Sequence, residues 1–294
     1  MDGIVNVLKP PGMTSADVVA WMRRTLKTKK IGHTGTLDPG VVGVLPICIG
    51  KGTRLAEYIT EQGKAYLAEV TFGIKTETQD SFGKTVYEKQ PFLQRTEVER
   101  VLRKFAGKIS QIPPMFSAVH KDGKRLYEFA RQGISIEREP REVTLYKIEL
   151  KKWYEDEFPR AILYIECSKG TYIRTLCHDL GEDLGCGAYM SYLLRVRSGP
   201  FEIQDSWTLE EIDETVQTSP VPFLLPLTAG IDLPKVYLSA ARANAFRNGL
   251  STKRELVRTS DPISNSQVQV LEGELLIGIG VWRENSLFPY KVIG

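Results

Sequence analysis

The sequence predicts an α+β fold with one large unit and one small C-terminal unit, and three observations lead to this prediction. Residues 65–74 alternate between two faces, which is the period of a β-strand. Capping-box pairs, such as Thr14 with Asp17, precede segments whose apolar residues recur at helical spacing. A proline-rich segment, residues 218–234, reads as a linker to a small unit formed by the remaining residues.

Composition indicates a cytoplasmic globular protein. The chain has 294 residues and a net charge of +3, so charge alone identifies no partner. It contains no apolar run of the roughly 20 residues that span a membrane, and its N-terminus lacks the apolar core of a secretion signal. The four cysteines form no CxxC pair, which predicts reduced thiols and no zinc site.

The first half of the chain alternates strands with helices. Residues 4–8 predict a strand, and a helix begins at Thr14 with Val18, Trp21 and Met22 on one face. The apolar run at 41–49 predicts a buried strand. Thr96 with Glu99 predicts the start of another helix.

The second half begins with a different kind of segment. Residues 110–142 combine a proline-kinked apolar stretch with a basic turn and a short helix, which predicts an excursion from the main sheet. Strands are predicted at 143–150 and 160–168. Thr171 and Thr208 are predicted to cap the two helices that follow.

The glycine-rich turn from Gly32 to Gly40 contains one carboxylate, Asp38, directly before a proline and a buried strand. Pro39 restricts Asp38 to extended conformations, so the loop would hold this carboxylate rigidly, as an active site requires. The alternative is that Asp38 only caps a turn, since Asp before Pro and Gly is common in turns.

Two other side chains are candidates for chemistry. Tyr66 lies at the end of the inward row of its strand, where it is either a core tyrosine or part of a pocket. Arg174 falls in the first turn of the helix after Thr171, where a cation opposes the helix dipole. A local rule broken without visible compensation marks a functional site, although an exposed arginine tolerates this position.

Clusters of basic residues suggest a phosphate-bearing partner such as RNA, with solvated faces as the alternative. One cluster lies within residues 21–30, directly before the glycine-rich turn. A second is formed by Arg195 and Arg197, and a third lies within 121–131. The sequence has no P-loop, dinucleotide fingerprint, nucleophile elbow or metal-ligand spacing, so neither a cofactor nor a metal is predicted.

Four segments together resemble bacterial tRNA pseudouridine-55 synthases, the TruB family. They are, in order, GIVNVLKPPGMTS, IGHTGTLDPGVVGVLP, KAYLAEVTFGIKTETQDSFG and CSKGTYIRTLCHDLGEDLG. The resemblance implies a pseudouridine synthase catalytic domain at 1–230, with a mixed, mostly antiparallel sheet flanked by helices and loops. It also implies an RNA-gripping insertion near 110–142 and a PUA-like RNA-binding domain at 231–294.

The resemblance also implies roles for six residues. Asp38 matches the essential aspartate, Tyr66 the tyrosine that packs against the target base, and Arg174 the arginine that pairs with the aspartate. Lys9 matches a lysine that supports the loop. His33 matches the residue that fills the stack position vacated by the flipped base, and Leu194 matches an apolar residue that lines the pocket.

The expected function is therefore isomerisation of uridine 55 in the T loop of tRNA by a monomer that needs no protein partner. Three alternatives are kept. The first is a non-catalytic RNA-binding or tRNA-folding protein, and the second an RNA-guided pseudouridine synthase subunit. The third is a nucleoside glycosidase that releases uracil.

Overall fold

A computed structural model describes residues 1–117, 119–121, 123–218, 221–259 and 267–293. The predicted insertion, the proline-rich segment and the C-terminal unit each include residues outside these ranges. The strands are β1 (Gly3–Lys9), β2 (Ile31–His33), β3 (Val42–Ile49), β4 (Lys64–Phe72), β5 (Ile74–Thr76), β6 (Thr85–Glu88), β7 (Gly107–Gln111), β8 (His120–Lys121), β9 (Lys124–Arg125), β10 (Arg141–Tyr154), β11 (Arg160–Cys167), β12 (Ala188–Ser198), β13 (Phe201–Glu202), β14 (Lys235–Tyr237), β15 (Thr252–Lys253), β16 (Gln267–Glu272), β17 (Leu275–Arg283) and β18 (Ser286–Val292). The α-helices are α1 (Ser15–Thr25), α2 (Ala56–Thr60), α3 (Arg95–Leu102), α4 (Leu126–Ala130), α5 (Ile173–Asp183), α6 (Leu209–Thr215) and α7 (Ala240–Arg247).

The main sheet confirms the predicted α+β class and its mixed, mostly antiparallel character. Its strand order is β1-β3-β12-β4-β11-β10-β7, with β2 added to β3 and β13 added to β12. Every pair is antiparallel except β3 with β12. The strand after the glycine-rich turn and the strand that carries Tyr66 therefore both lie beside β12.

Two of the four predicted helix caps are confirmed. Thr14 with Asp17 and Thr208 with Glu211 form the predicted capping boxes of α1 and α6. Strand β4 ends at Phe72, earlier than predicted, because Gly73 takes a left-handed φ of +91° and the chain turns into β5.

Two predicted helix caps are wrong. Helix α3 begins at Arg95, and Gln94 forms its capping box with Glu97, so the predicted Thr96 and Glu99 box lies two residues too late. Thr171 does not cap α5, because its hydroxyl donates to the Ser168 carbonyl. A side chain of strand β7 accepts a hydrogen bond from the backbone amide at that helix start instead.

The C-terminal sheet has the order β14-β16-β17-β18-β15, and α7 packs on it through Phe246 and Ala243. The described part of the proline-rich segment before it, residues 221–234, packs against the main unit. Phe223 is fully buried in the main core, and the backbones of Leu225 and Ile4 exchange two hydrogen bonds. Further apolar residues join the second sheet to the main unit: Leu55, Leu227, Ile231, Leu271, Leu276, Ile279 and Ile293. Burial of the prolines' apolar neighbours thus holds this segment in place.

In the described part of the chain, no helix is long and apolar enough to cross a membrane.

Candidate active site

The loop that carries Asp38 is held from several sides. The ammonium group of Lys9 donates to the Pro10 carbonyl at 2.8 Å and to the Pro39 carbonyl at 3.2 Å. The Gly12 amide also donates to the Pro39 carbonyl, at 2.9 Å. The Asp38 side chain nevertheless remains 43 % exposed. The sequence thus builds a fixed loop that presents one carboxylate to solvent.

Arg174 joins Asp38 to a second carboxylate. Its Nη2 lies 3.3 Å from Asp38 Oδ2, and its Nη1 lies 3.4 Å from Asp80 Oδ2. Nη2 also donates to the Phe116 carbonyl. The Arg174 side chain is 6 % exposed and that of Asp80 is 9 % exposed. Two carboxylates therefore compensate the cation that the sequence places at the start of a helix.

Strand β7 supplies the contact that fixes the helix start. Tyr172 is the N-cap of α5, and its amide donates to Gln111 Oε1 at 3.0 Å. Gln111 Nε2 returns a hydrogen bond to the Tyr172 carbonyl at 3.2 Å. Since Arg174 is the second residue of α5, this reciprocal pair sets the direction from which its guanidinium approaches Asp38.

Opposing effects act on the Asp38 carboxyl group, and their net result is a pKa raised above the usual value for aspartate. Burial raises the pKa of this carboxyl group, and the negative charge of Asp80 raises it further. The cations of Arg174 and Lys9 lower the pKa of Asp38 and so favour the ionised form. Burial lowers the pKa of Lys9 itself to about 8, against the attraction of Asp38.

Tyr66 is buried on β4 with 8 % exposure, and Arg195 of β12 lies opposite it in the sheet. Burial raises the pKa of the Tyr66 hydroxyl, and the Arg195 guanidinium opposes that shift.

The register of β12 against β4 decides which leucine lies on the Tyr66 face of the sheet. Leu193 lies opposite Ala68, two residues from Arg195 and Tyr66 along their strands, so it shares the face of Tyr66. Leu194 lies opposite Leu67 on the other face. The register therefore does not bring the predicted Leu194 to this side.

Arg195 is not part of a surface cluster, which corrects the prediction. It is 1 % exposed, its Nε donates to the Val44 carbonyl at 2.7 Å, and its Nη2 donates to the Gly35 carbonyl at 3.3 Å. The guanidinium thus holds the glycine-rich turn in place through its hydrogen bond to the Gly35 carbonyl. Its neighbour Arg197 pairs with Glu166 at 2.8 Å.

His33 ends β2, opposite Ile47 of β3, at the start of the same turn. Burial lowers the pKa of its imidazole, and the charge of Arg195 acts in the same direction. Its buried Nδ1 has no hydrogen-bond partner among the described atoms. The neutral ring is thus the favoured form at this position.

Among the described residues, no group of three histidine, cysteine, aspartate or glutamate side chains is arranged to hold a metal ion.

Family models match most of the chain. The model of the TruB family pseudouridylate synthase N-terminal domain matches residues 23–173, and the tRNA pseudouridylate synthase B C-terminal domain matches residues 174–228. This chain belongs to the TruB family. The first match contains Asp38, Tyr66 and Asp80, and the second contains Arg174 and Arg195.

Curated TruB relatives extend the match. A tRNA pseudouridine synthase B of Symbiobacterium thermophilum is 51 % identical over 85 % of this chain and 83 % of its own length. The one from Moorella thermoacetica is 45 % identical over 99 % of both chains. A chain of an H/ACA ribonucleoprotein bound to a substrate RNA containing 2′-deoxyuridine superposes with a TM-score of 0.76, at 25 % identity, over 99 % of this chain and 85 % of that one.

In two of the predicted basic clusters, the cations whose side chains the structure describes are exposed. In the first cluster the cations on the surface are Arg23, Arg24, Lys27, Lys29 and Lys30. In the insertion, Lys124 lies 5.9 Å from the Phe129 ring centre and Arg131 lies 5.3 Å from that of Tyr127. These surfaces combine charge with aromatic rings, which suits phosphates and unstacked bases.

Proposed function

We propose that this protein is a stand-alone tRNA pseudouridine synthase that acts on uridine 55 of the T loop in the cytoplasm. The observation that carries the proposal is the ion pair between the half-exposed Asp38 and the buried Arg174, beside the buried Tyr66. Binding RNA does not require a carboxylate that faces a polyanion, whereas chemistry on a nucleoside does. The names of the TruB relatives support tRNA as the substrate.

The reaction is an isomerisation, so it needs neither an oxidant nor an energy source. The N1–C1′ bond of uridine breaks, the base rotates, and a C5–C1′ bond forms. C5 loses a proton and N1 gains one, so the product has the atoms of the substrate. The target base must first leave its stack, which costs a few kcal/mol. His33, at the start of the rigid turn, is proposed to fill the vacated position.

Asp38 acts in its ionised form. Attack on the sugar, attack on the base and removal of a sugar proton are the three routes open to it, and all need an unprotonated carboxylate. Arg174 and Lys9 supply the positive charge that favours this form. Tyr66 packs against the base and forms an apolar wall that excludes water, so that the detached base is retained. We assign the second part of this wall to Leu193, which shares the Tyr66 face, in place of Leu194.

The test uses purified protein and an unmodified tRNA transcript, without added nucleotide, metal or partner protein. Pseudouridine is mapped at single-nucleotide resolution for the wild type, for Asp38→Asn, and for Asp183→Asn. Asp183 is a control because it forms an exposed ion pair with Lys104 at 3.0 Å. We expect conversion of the T-loop uridine alone, reduced at least about 10²-fold in Asp38→Asn while tRNA binding persists, and unchanged in Asp183→Asn.

The other outcomes distinguish the alternatives. Tight binding of tRNA without conversion would contradict the proposal and favour an RNA-folding role or an RNA-guided subunit. Of these two, the RNA-guided subunit is the second candidate function, because the chain is similar to a chain of an H/ACA ribonucleoprotein. Addition of partner proteins and guide RNA would then separate those two. Release of free uracil in place of pseudouridine would indicate a glycosidase.

A further inference from the structure

The turn between β5 and β6 places an aromatic ring beside the active-site loop. Phe82 is a large apolar side chain and is 75 % exposed. Its ring lies against Gly40, two residues after Asp38: a Cβ atom added to Gly40 would be 2.2 Å from ring atoms Cε2 and Cζ. One edge of the ring thus rests on the catalytic loop and most of its surface faces solvent.

Hydrogen bonds tie Phe82 to the ion-pair network. The Phe82 amide donates to Asp80 Oδ1 at 3.0 Å, and the Thr78 hydroxyl donates to the same oxygen at 2.5 Å. The other oxygen of Asp80 faces Arg174. Gln79, within the same turn, has a left-handed φ of +64°, a strained conformation that the surrounding contacts maintain. The position of the ring is therefore linked to the carboxylate that shares Arg174 with Asp38.

We propose that Phe82 is the stacking surface for an RNA base next to the flipped target uridine. This inference rests on the proposed function, because it concerns the same substrate. His33 is proposed to fill the position that the uridine vacates, but other bases of a single-stranded loop are also unstacked, and aromatic side chains cover their faces without regard to sequence. A single exposed ring is too small to form a protein interface, which buries about 800 Å² per partner.

The role is one of substrate positioning. Phe82 offers no group for proton transfer, so it contributes to binding and to the placement of the uridine over Asp38. A base–aromatic stack accounts for about 5- to 150-fold in affinity, and replacement by leucine, which keeps the apolar bulk but has no planar ring face, removes most of this effect.

The test is a double-mutant cycle between the protein and the RNA. All variants carry Asp38→Asn, so that turnover does not interfere, and binding to a T-arm stem-loop is measured by fluorescence anisotropy. The protein has Phe, Leu or Tyr at position 82, and the RNA has an intact or an abasic nucleotide on either side of the target. Phe92→Leu is the matched control, because Phe92 is 94 % exposed in the segment between β6 and α3.

We expect an abasic nucleotide at one flanking position to weaken binding by the parent about 5- to 20-fold, but binding by Phe82→Leu less than twofold. Phe82→Tyr and Phe92→Leu should behave like the parent. Equal losses in the parent and in Phe82→Leu at both positions would overturn the inference, as would an equal effect of Phe92→Leu. Because the cycle measures binding alone, its failure is distinct from a failure of the wild type to form pseudouridine.

Discussion

The substitution Asp80→Asn tests whether the second carboxylate sets the chemistry of the first. Asn keeps the shape of the side chain, and its single carbonyl oxygen can still accept from Thr78 and Phe82. Its amide nitrogen would then face Arg174 Nη1, so that a donor meets a donor. The substitution thus removes the ion pair at 3.4 Å and leaves the turn in place.

The expected loss of stability follows from the geometry. Two unit charges 3.4 Å apart attract by about 5 kcal/mol at an effective dielectric constant of 20. Desolvation of both groups and the remaining contact between Arg174 and Asp38 offset much of this. We expect the free energy of unfolding to fall by about 1.5–3 kcal/mol, the range for a hydrogen bond to a charged group. Asp183→Asn, on the helix that carries Arg174, removes an exposed pair and should cost less than about 1 kcal/mol.

The pH profile separates an electrostatic role from a structural one. The charge of Asp80 raises the pKa of Asp38, so its removal should lower that pKa. Under the proposed function, activity requires ionised Asp38, and the acidic limb of kcat/KM reports the free enzyme. In Asp80→Asn this limb should therefore move to lower pH, while the maximum falls because Arg174 is less well fixed. A limb that stays in place or moves to higher pH would refute the reasoning, whatever the loss of stability.

Two further predictions concern β12 and its neighbours: urea unfolding checks the stability expected in both, and the rate of pseudouridine formation checks the kcat expected in the second. Gly43→Ala should lower the free energy of unfolding by at least about 1–3 kcal/mol, because Gly43 has φ +127° and its added Cβ would lie 2.2 Å from the Arg195 carbonyl oxygen. Gly32→Ala is the control, since a Cβ atom added there meets no atom within 4 Å. Equal losses of stability in the two variants would contradict the argument. Leu193→Ala should cost about 2–5 kcal/mol and lower kcat, whereas Leu194→Ala should leave kcat nearly unchanged. A larger loss of kcat in Leu194→Ala would restore Leu194 to the pocket.

The sequence was sufficient for features that depend on neighbours along the chain. The strand at β4, the capping box at Thr14 and the position of Arg174 in a first helical turn all follow from local periodicity and local hydrogen bonds. The pairing of Asp38 with Arg174 came from the resemblance and is present in the structure. Helix α3 shows the limit of this reasoning, because two overlapping capping boxes were possible and the less usual Gln94 forms the cap.

Contacts between distant segments were not predictable in the same way. Asp80 lies in a polar loop whose sequence does not indicate that it meets Arg174, 94 residues later. The face of Leu193 depends on the register of β12 against β4, which shifts near residues 191 and 196. Five successive residues there, from Tyr192 to Val196, show no clean alternation from which to choose a face. A one-residue difference in register reverses every side chain, so only the paired strand decides.

The charges around Asp38 explain why a carboxylate can operate against a polyanion. The cations of Arg174 and Lys9 lower the pKa of Asp38, and among its charged neighbours only the carboxylate of Asp80 raises it. The two cations thus oppose protonation of Asp38 and partly offset the effect of burial. If Arg174 paired with Asp38 alone, the pair would be neutral and fixed. Since Arg174 also holds Asp80, Asp38 is only one of its two partners, so the carboxylate can turn towards a substrate while the arginine remains in place.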